Sequence, residues 1–203
     1  MKISYAILTH NEGECIAELL TLLTTYKRDI DEIVVVDDYS NDERTKFILN
    51  DVKDLIKLEY RTFDGDHTQK NYLNSLCSGD YILQLDADEL VSLEFLNMLP
   101  NLLELNDTVD LFIMPRINTV EGLTPEWSSR WGWRVNEKGW VNFPDYQWRI
   151  YKNSPDIKWK NRVHEVLDGY KTYSNLPEME EYALYHPKTI WKQESQNNFY
   201  SRL

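Results

Sequence analysis

The first half of the chain alternates short apolar segments with amphipathic segments, and this alternation constrains the fold more than any other feature. Apolar runs predict strands at residues 3–8, 33–36, 56–61, 81–85 and 109–114. Between them, apolar residues at helical spacing predict helices at residues 15–26, around 47–49, at 68–76 and at 92–105. Strands and helices that alternate at this spacing predict an α/β fold, in which helices cover both faces of a mostly parallel sheet.

Polar side chains follow three of the predicted strands at the point where each strand ends. Residues 9–12 follow the first strand, Asp37 follows the second, and Asp86 and Asp88 follow the fourth. In sheets of this kind, ligands bind outside the carboxyl ends of the strands. The sequence therefore predicts a binding site at this edge of the sheet.

The segment Asp86-Ala87-Asp88 places two carboxylates beside each other at a strand end. Side chains alternate along an extended backbone, so Asp86 and Asp88 lie on the same side of it. Two carboxylates can hold a hard divalent cation through oxygen, and such a cation can neutralise a diphosphate. The alternative is that these aspartates only end the strand as turn or cap residues.

The composition limits the classes of function. The 203 residues are enough for one substantial domain, and no apolar run approaches the ~20 residues of a membrane-spanning helix. No signal-peptide pattern begins the sequence, and Cys15 and Cys77 do not make a disulfide framework, so we expect a cytoplasmic location. The net charge of -12 makes nucleic acid an unlikely partner. Positive residues between 130 and 162 could meet an anionic substrate or belong to an ordinary mixed surface.

The second half of the chain loses the strand–helix alternation. Residues 116–146 are rich in Gly, Pro, Asn and Trp and predict long loops, followed by strands at 147–151 and 182–185 and a helix at 189–203. Trp127, Trp131 and Trp133 lie among Gly, Ser and Arg, which favours a binding loop, although tryptophans also fill cores. We expect residues 1–115 and 116–203 to pack together as two halves of one domain.

Six short motifs, in this order and spacing, resemble the family 2 glycosyltransferases, and in particular a bacterial and viral subgroup. They are Thr-His-Asn-Glu at 9–12, Val-Val-Asp-Asp-Tyr-Ser-Asn-Asp at 35–42, Gln-Lys-Asn at 69–71, Leu-Asp-Ala-Asp-Glu at 85–89, Gln-Trp-Arg-Ile-Tyr at 147–151 and Arg-Val-His-Glu at 162–165. The resemblance implies a GT-A, Rossmann-like fold and transfer of a sugar from a nucleotide-diphosphate sugar, most often a UDP-sugar. The acceptor would be a hydroxyl of a glycan, a glycoprotein or another molecule, bound on the side of residues 116–203, with the donor on residues 1–115.

The same resemblance implies a nucleotide site formed by Thr9, Asn11, Glu12, Asp37 and Ser40. Asp37 would accept the imide proton of the base, while Asn11, Glu12 and Ser40 would line the base and ribose. Asn11 and Ser40 could instead cap helices, and Ser40-Asn41-Asp42-Glu43 has the pattern of a capping box. Lys70 would contact the phosphates or the sugar of the donor, where the family commonly has an arginine.

The resemblance also implies a metal site and a base. Asp88 would bind Mn2+ or Mg2+ directly, and Asp86 would bind the metal, the ribose or both. His186 matches a late histidine that completes the metal shell in some GT-A enzymes, although a single histidine can also be structural. An inverting transfer needs a group that takes the proton of the acceptor hydroxyl, and the candidates are Glu165, which we favour, and His164.

Three other classes share part of this pattern. An aspartate-nucleophile phosphatase carries Asp-x-Asp followed by Thr or Val two residues later on its first strand, whereas Leu90 stands there here and the motif lies mid-chain. A sugar-nucleotide pyrophosphorylase has a glycine-rich phosphate loop, of which only Gly13 is present. A non-catalytic carbohydrate-binding module would explain the tryptophans but not the acidic strand ends.

Overall fold

The structure is a computed structural model that describes residues 1–162 and 165–194. Within these ranges the strands are, in chain order, β1 (Ile3–Thr9), β2 (Glu32–Asp37), β3 (Lys57–Tyr60), β4 (Tyr81–Asp86), β5 (Leu90–Val91), β6 (Leu111–Met114), β7 (Arg116–Glu121), β8 (Gln147–Lys152), β9 (Lys158–Lys160), β10 (Val166–Asp168), β11 (Tyr173–Asn175) and β12 (Leu184–Thr189). The helices are α1 (Gly13–Tyr26), α2 (Glu43–Val52), α3 (Asp66–Leu76), α4 (Leu93–Leu105) and α5 (Pro125–Trp131), with a 3-10 turn at Glu180–Tyr182.

The central sheet has seven strands in the order β11–β6–β8–β4–β1–β2–β3. Strands β4, β1, β2 and β3 pair in parallel, while β8 runs antiparallel to both of its neighbours, β4 and β6. The α/β fold with a mostly parallel sheet is therefore confirmed. Because β8 belongs to the second half of the sequence, that half supplies a strand inside the sheet of the first.

Alternate residues of the central strands pack on opposite faces of the sheet. Tyr5 and Ile7 belong to a core with the apolar sides of α1, α2 and α4, whereas Ala6 faces a second core that includes Leu73 of α3 and Trp159 of β9. This alternation follows from the two-residue period of a strand, and burial on both faces explains why these strands are almost wholly apolar. Helices on both faces leave the carboxyl edge of the sheet for the polar strand ends.

The prediction of long loops for residues 116–146 is wrong at two places. Strand β7 begins directly after Pro115 and pairs in parallel with β12, which in turn pairs with β5. Helix α5 starts at Pro125, and the hydroxyl of Thr124 caps it by accepting the N–H of Trp127. The partner of β7 lies more than sixty residues later in the chain, so local composition could not reveal this strand.

The predicted terminal helix lies only partly within the described residues. Residues 190–194 are helical, and residues 195–203 are not described. Within the described ranges, no helix is long and apolar enough to cross a membrane. Both cysteines are free thiols.

Candidate active site

The three predicted acidic strand ends meet at one edge of the sheet. Strand β1 lies between β4 and β2, with Leu8 opposite Asp86 and Thr9 opposite Asp37. The parallel register brings the residues that follow each strand to the same side of the molecule. This edge therefore gathers Asp37, Asp86 and Asp88 together with the loop that follows β1.

Asp37 and Ser40 form a buried hydrogen-bonded pair at the end of β2. The Ser40 hydroxyl donates to Asp37 Oδ1 over 2.5 Å, and the Ser40 amide donates to Asp37 Oδ2 over 3.0 Å. Ser40 Oγ also accepts the Asn11 amide over 2.9 Å. The hydroxyl of Ser40 is thus engaged by Asp37 and Asn11 and does not cap a helix. The capping box predicted from Ser40 is wrong, because Asp42 caps α2 by accepting the Thr45 amide.

Asn11 fastens the first loop of this edge to the start of α2. Its Oδ1 accepts the amides of Asn41 and Asp42 over 2.8 and 3.1 Å, and its backbone has the left-handed φ of 56° that asparagine tolerates. Asn11 thus braces the residues that lead into α2, but it caps neither α2, whose cap is Asp42, nor α1, whose N-cap position is Glu12. Thr9 ends β1 with a buried hydroxyl that has no hydrogen-bond partner among the described residues.

Outside this buried pair, the same edge exposes a carboxylate and two aromatic rings. Asp38 Oδ1 accepts the Phe63 amide over 2.8 Å, and its side chain is only half-buried. The rings of Tyr39 and Tyr60 lie with centroids 5.8 Å apart and are both exposed. A planar ligand could therefore reach Asp38 and the tyrosines more readily than Asp37, which is 2% exposed.

Asp86 belongs to a charged cluster beneath the edge. Arg149 donates to both Asp86 and the fully buried Glu89, and Glu89 also accepts from Arg116 over 3.0 Å. Burial by itself raises the pKa of Asp86, but the charges of Arg149 and Lys70 outweigh it and lower the pKa. Burial likewise disfavours the charge of Arg149, whereas Asp86 and Glu89 raise its pKa above the usual range. The cluster holds Asp86 ionised and fixes the backbone around it.

Asp88 points into a group of side chains that come from three parts of the chain. Its Oδ2 lies 3.4 Å from His186 Nε2 and 3.0 Å from Lys192 Nζ, and Lys192 Nζ also lies 2.9 Å from Glu12 Oε2. Burial by itself raises the pKa of Asp88, but a hydrogen bond and charge from His186, when its ring carries a proton on Nε2, and those from Lys192 lower this pKa well below its usual range. Burial opposes the charge of Lys192, yet Glu12 and Asp88 raise its pKa.

The side of the His186 ring that faces away from Asp88 contacts Asn118 of the neighbouring strand β7. Its Nδ1 lies 2.7 Å from Asn118 Oδ1, and Asn118 Nδ2 donates to Asp145 Oδ2 over 2.9 Å. Arg116 clamps the same Asp145 oxygen through Nε and Nη2, at 2.9 and 2.7 Å. The ring nitrogen that faces Asp88 is Nε2.

Asp88 and His186 fit a divalent cation held by few protein ligands. Two adjacent ligands of an octahedral ion, each about 2.1 Å from it, lie about 3 Å apart, close to the 3.4 Å between Asp88 Oδ2 and His186 Nε2. The described ranges contain no group of three His, Cys, Asp or Glu side chains that could hold a metal. An ion here would therefore need further oxygens from water and from a phosphate-bearing ligand.

Glu165 and Lys70 contact each other at a neighbouring pocket. Lys70 Nζ donates to Glu165 Oε1 over 2.6 Å and lies 4.4 Å from the ring centre of Trp159. Burial by itself raises the pKa of Glu165, but the hydrogen bond and charge of Lys70 lower it. Both residues line a pocket of about 230 Å³, together with Asp86 and Arg149. His164, the other predicted base, lies outside the described residues.

The predicted tryptophan loop is in part a helix. Trp127 and Trp131 lie on α5, and the Trp131 ring stacks against that of Trp133, with centroids 6.4 Å apart. The Arg130 guanidinium lies over both Trp127 and Trp131. Trp133 also lines a second pocket of about 290 Å³ next to His186. The sugar-binding role of these rings remains a prediction.

Several site residues were not singled out from the sequence. Glu89 and Arg149 lie within the motifs quoted above, but their pairing follows from the insertion of β8 beside β4. Arg116, Asn118 and Lys192 carry no local signal, because each acquires its role from a partner distant in the chain.

Comparison with known proteins agrees with this architecture. The model of glycosyl transferase family 2 matches residues 4–175, so the chain belongs to that family. An uncharacterized glycosyltransferase of Rickettsia felis is 37% identical over 93 residues, which cover 46% of this chain and 31% of that protein. A TPR repeat-containing protein of Synechococcus elongatus is 27% identical over 168 residues, which cover 82% of this chain and 36% of that protein. The chain thus spans about a third of the length of these relatives.

Among solved structures, S. aureus TarS in complex with UDP-GlcNAc is similar to this chain, with a TM-score of 0.64 at 19% sequence identity. The similarity covers 93% of this chain and 59% of that one. At this level of identity the likeness shows the fold, and it confirms the GT-A architecture predicted from the motifs.

Proposed function

We propose that the chain transfers a sugar, with inversion, from a nucleotide-diphosphate sugar to an acceptor hydroxyl, and that it uses Mn2+ or Mg2+. The observation that carries the proposal is the meeting of Asp88 and His186 at the carboxyl edge of the sheet, 3.4 Å apart. Family membership supports the class of reaction. UDP is the first nucleotide to test, because TarS binds UDP-GlcNAc on the same fold.

The nucleotide would lie over the ends of β1 and β2. Asn11, Glu12 and Ser40 shape this edge, and Thr9 supplies a buried hydroxyl whose hydrogen-bonding capacity is unused among the described residues. Asp37, which is hydrogen-bonded to Ser40, would lie beneath the nucleotide base, and the more exposed Asp38 would share the contact with the imide of that base. Asp86 would face the ribose.

Asp88 and His186 would hold the metal ion, with Asp86 beside them. When bound, the ion would act as a Lewis acid on the diphosphate and stabilise it as the leaving group. Lys192 contacts both Asp88 and Glu12, and its ammonium would be free to turn from Asp88 toward phosphate oxygens.

Glu165 would serve as the base and Lys70 as a donor contact. The acceptor oxygen forms its bond to the anomeric carbon as the bond from that carbon to the diphosphate oxygen breaks, and the acceptor proton passes to Glu165. Lys70 already neutralises Glu165, so a donor phosphate or hydroxyl that draws Lys70 away would release the carboxylate for this role. The pocket beside these two residues would receive the reacting groups.

The test is a panel of UDP-, GDP- and dTDP-sugars with Mn2+, in which released nucleoside diphosphate is measured and product anomers are assigned by proton NMR. We expect the parent chain to turn over one donor and to give a product of inverted configuration. Asp88→Asn and Glu165→Gln should lose this turnover. Full metal-independent activity of Asp88→Asn would contradict the metal site, and a retained configuration would contradict the role of Glu165. The exposed Asp107→Asn serves as the matched control.

The alternatives have less support. A phosphatase nucleophile at Asp86 would have to leave its contact with buried Arg149, and family membership does not favour that class. A carbohydrate-binding module would still leave the Asp88–His186 pair without a role.

A further inference from the structure

Asn118 and His186 are direct partners in the pairing of β7 with β12. The register of the two parallel strands sets His186 opposite Asn118 and Leu184 opposite Arg116. Residues two apart on a strand share a face, so Arg116, Asn118 and His186 project toward the same side. The contact between Asn118 and His186 is therefore built into the sheet.

The directions of the hydrogen bonds are fixed by chemistry. The carboxylate of Asp145 can only accept, so the amide nitrogen of Asn118, 2.9 Å away, must face it. Asn118 Oδ1 is then turned to His186 Nδ1 at 2.7 Å, and an amide oxygen can only accept. The proton must therefore lie on Nδ1 of His186, and in the neutral ring the lone pair lies on Nε2.

Asp145 is itself immobilised as a charged acceptor. Arg116 donates to its Oδ2 twice, and Gln147 donates to its Oδ1 over 2.9 Å. Burial by itself raises the pKa of Asp145, but Arg116 and Asn118 lower it, so the carboxylate stays ionised at neutral pH.

We propose that Asn118, oriented by Asp145, is a positioning residue that presets His186 with its proton on Nδ1 and the Nε2 lone pair directed at Asp88. The inference rests on the proposed function, because that arrangement is the one a neutral histidine needs to bind a cation beside Asp88. Without Asn118, the ring would gain by placing its proton on Nε2 and donating it to Asp88, which would block the metal-binding nitrogen.

The test is the tautomer of the neutral His186 ring in the metal-free protein, read from the nitrogen shifts of ¹⁵N-histidine-labelled chain after the pH has been raised until both ring shifts stop changing. We expect Nδ1–H in the wild type and in Asn118→Asp, which keeps an acceptor, and Nε2–H in Asn118→Leu. Thr119→Val, which changes the next residue on β7, should leave the tautomer unchanged. Nε2–H in the wild type, or Nδ1–H retained in a folded Asn118→Leu, overturns the proposal. If Asn118→Leu does not fold, the tautomer of His186 in the wild type alone decides whether the proposal holds.

A second measurement separates this inference from the proposed function. Mn2+ binding in the presence of UDP, followed by electron paramagnetic resonance, should weaken by about tenfold or more in Asn118→Leu, as is usual when the support of a metal ligand is removed. If Mn2+ and UDP bind to a wild type whose ring carries Nε2–H, the inference fails and the proposed function stands. If the ring carries Nδ1–H and neither Mn2+ nor UDP binds, the proposed function fails and the positioning of His186 stands.

Discussion

Lys70 Nζ lies 2.6 Å from Glu165 Oε1, although the two residues are 95 positions apart in the sequence. One belongs to α3 and the other precedes β10, and both line the pocket that also contains Asp86. The pair is mostly buried, with 11% and 22% of the two side chains exposed. The proposed donor contact Lys70 and the proposed base Glu165 neutralise each other, so they cannot act independently, and the pH dependence of the rate tests their pairing.

Replacement of Lys70 by Met should move the acid limb of the pH–rate profile to higher pH. Lys70 lowers the pKa of Glu165, so if Glu165 is the base, the parent protein should stay active down to below the ordinary glutamate pKa of about 4.3. In Lys70→Met, burial and the charge of Asp86 raise the pKa of Glu165 against a backbone hydrogen bond alone, so activity should be lost at higher pH as the solution is acidified. The measurement is kcat/KM against pH, with exposed Lys158→Met as control. An unchanged acid limb would show that Glu165 is not the group that titrates.

Replacement of Glu89 by Gln should destabilise the fold. Glu89 is fully buried and accepts from both Arg116 and Arg149, so the loss of its charge leaves the buried guanidinium of Arg149 and the partly buried one of Arg116 poorly compensated. Breaking one partner of such a buried pair costs about 3–5 kcal/mol, measured as the free energy of unfolding in urea. Glu137→Gln, at an exposed position, should change it by less than about 0.5 kcal/mol. Equal stability of the two variants would show that the cluster does not hold the fold together.

Much of the fold could be predicted because the central strands are buried on both faces. Runs such as residues 33–36 are apolar at every position, and the helices between them bury a regular stripe, so periodicity identified both. Strand β7 has a mixed composition and is half-buried at most positions, and it is stabilised by pairing with β12. Such a strand depends on tertiary structure and has little local signature.

The candidate site likewise contains residues that could be predicted from the sequence and residues that could not. Asp37 and Asp86 were predictable because they end apolar strands, and Asp88 because it follows β4 by two residues, since the carboxyl ends of parallel strands share one edge. Their supporting partners were not, since Arg149 reaches Asp86 only because β8 enters the sheet beside β4. The capping box at Ser40 failed for a related reason: the nearby carboxylate of Asp37 takes its hydroxyl and amide hydrogens.

Replacement of Ser40 by Ala should weaken nucleotide binding and lower stability together. The Ser40 hydroxyl donates to buried Asp37 and accepts the Asn11 amide, so its removal leaves both groups short of a partner. A buried polar group left in this way costs about 1–3 kcal/mol. The unfolding midpoint and the affinity for UDP give the two readings, with exposed Ser129→Ala as the matched variant. A Ser40→Ala protein as stable as that control would contradict the structural role given to the pair.

Replacement of Lys192 by Met should tighten the binding of Mn2+ in the absence of nucleotide. The Lys192 ammonium lies 3.0 Å from Asp88 Oδ2 and competes with a cation for the same carboxylate. A partly exposed ion pair is worth about 1 kcal/mol, so the gain in affinity should be about fivefold. Titration of Mn2+ by electron paramagnetic resonance gives the affinity, and Lys171→Met provides the control at an exposed position. Weaker binding would indicate that Lys192 supports the cation site and does not compete for it.

The central claim, that Asp88 and His186 form a metal-dependent site for a nucleoside diphosphate, is tested most directly by calorimetric titration of UDP with and without Mn2+. The parent chain should bind UDP strongly only when Mn2+ is present, Asp88→Asn should lose this dependence, and Asp107→Asn should behave like the parent. If UDP, GDP and dTDP all fail to bind the parent chain, if the parent binds one of them equally well without Mn2+, or if Asp88→Asn keeps the Mn2+-dependent affinity of the parent, the account of this site is contradicted.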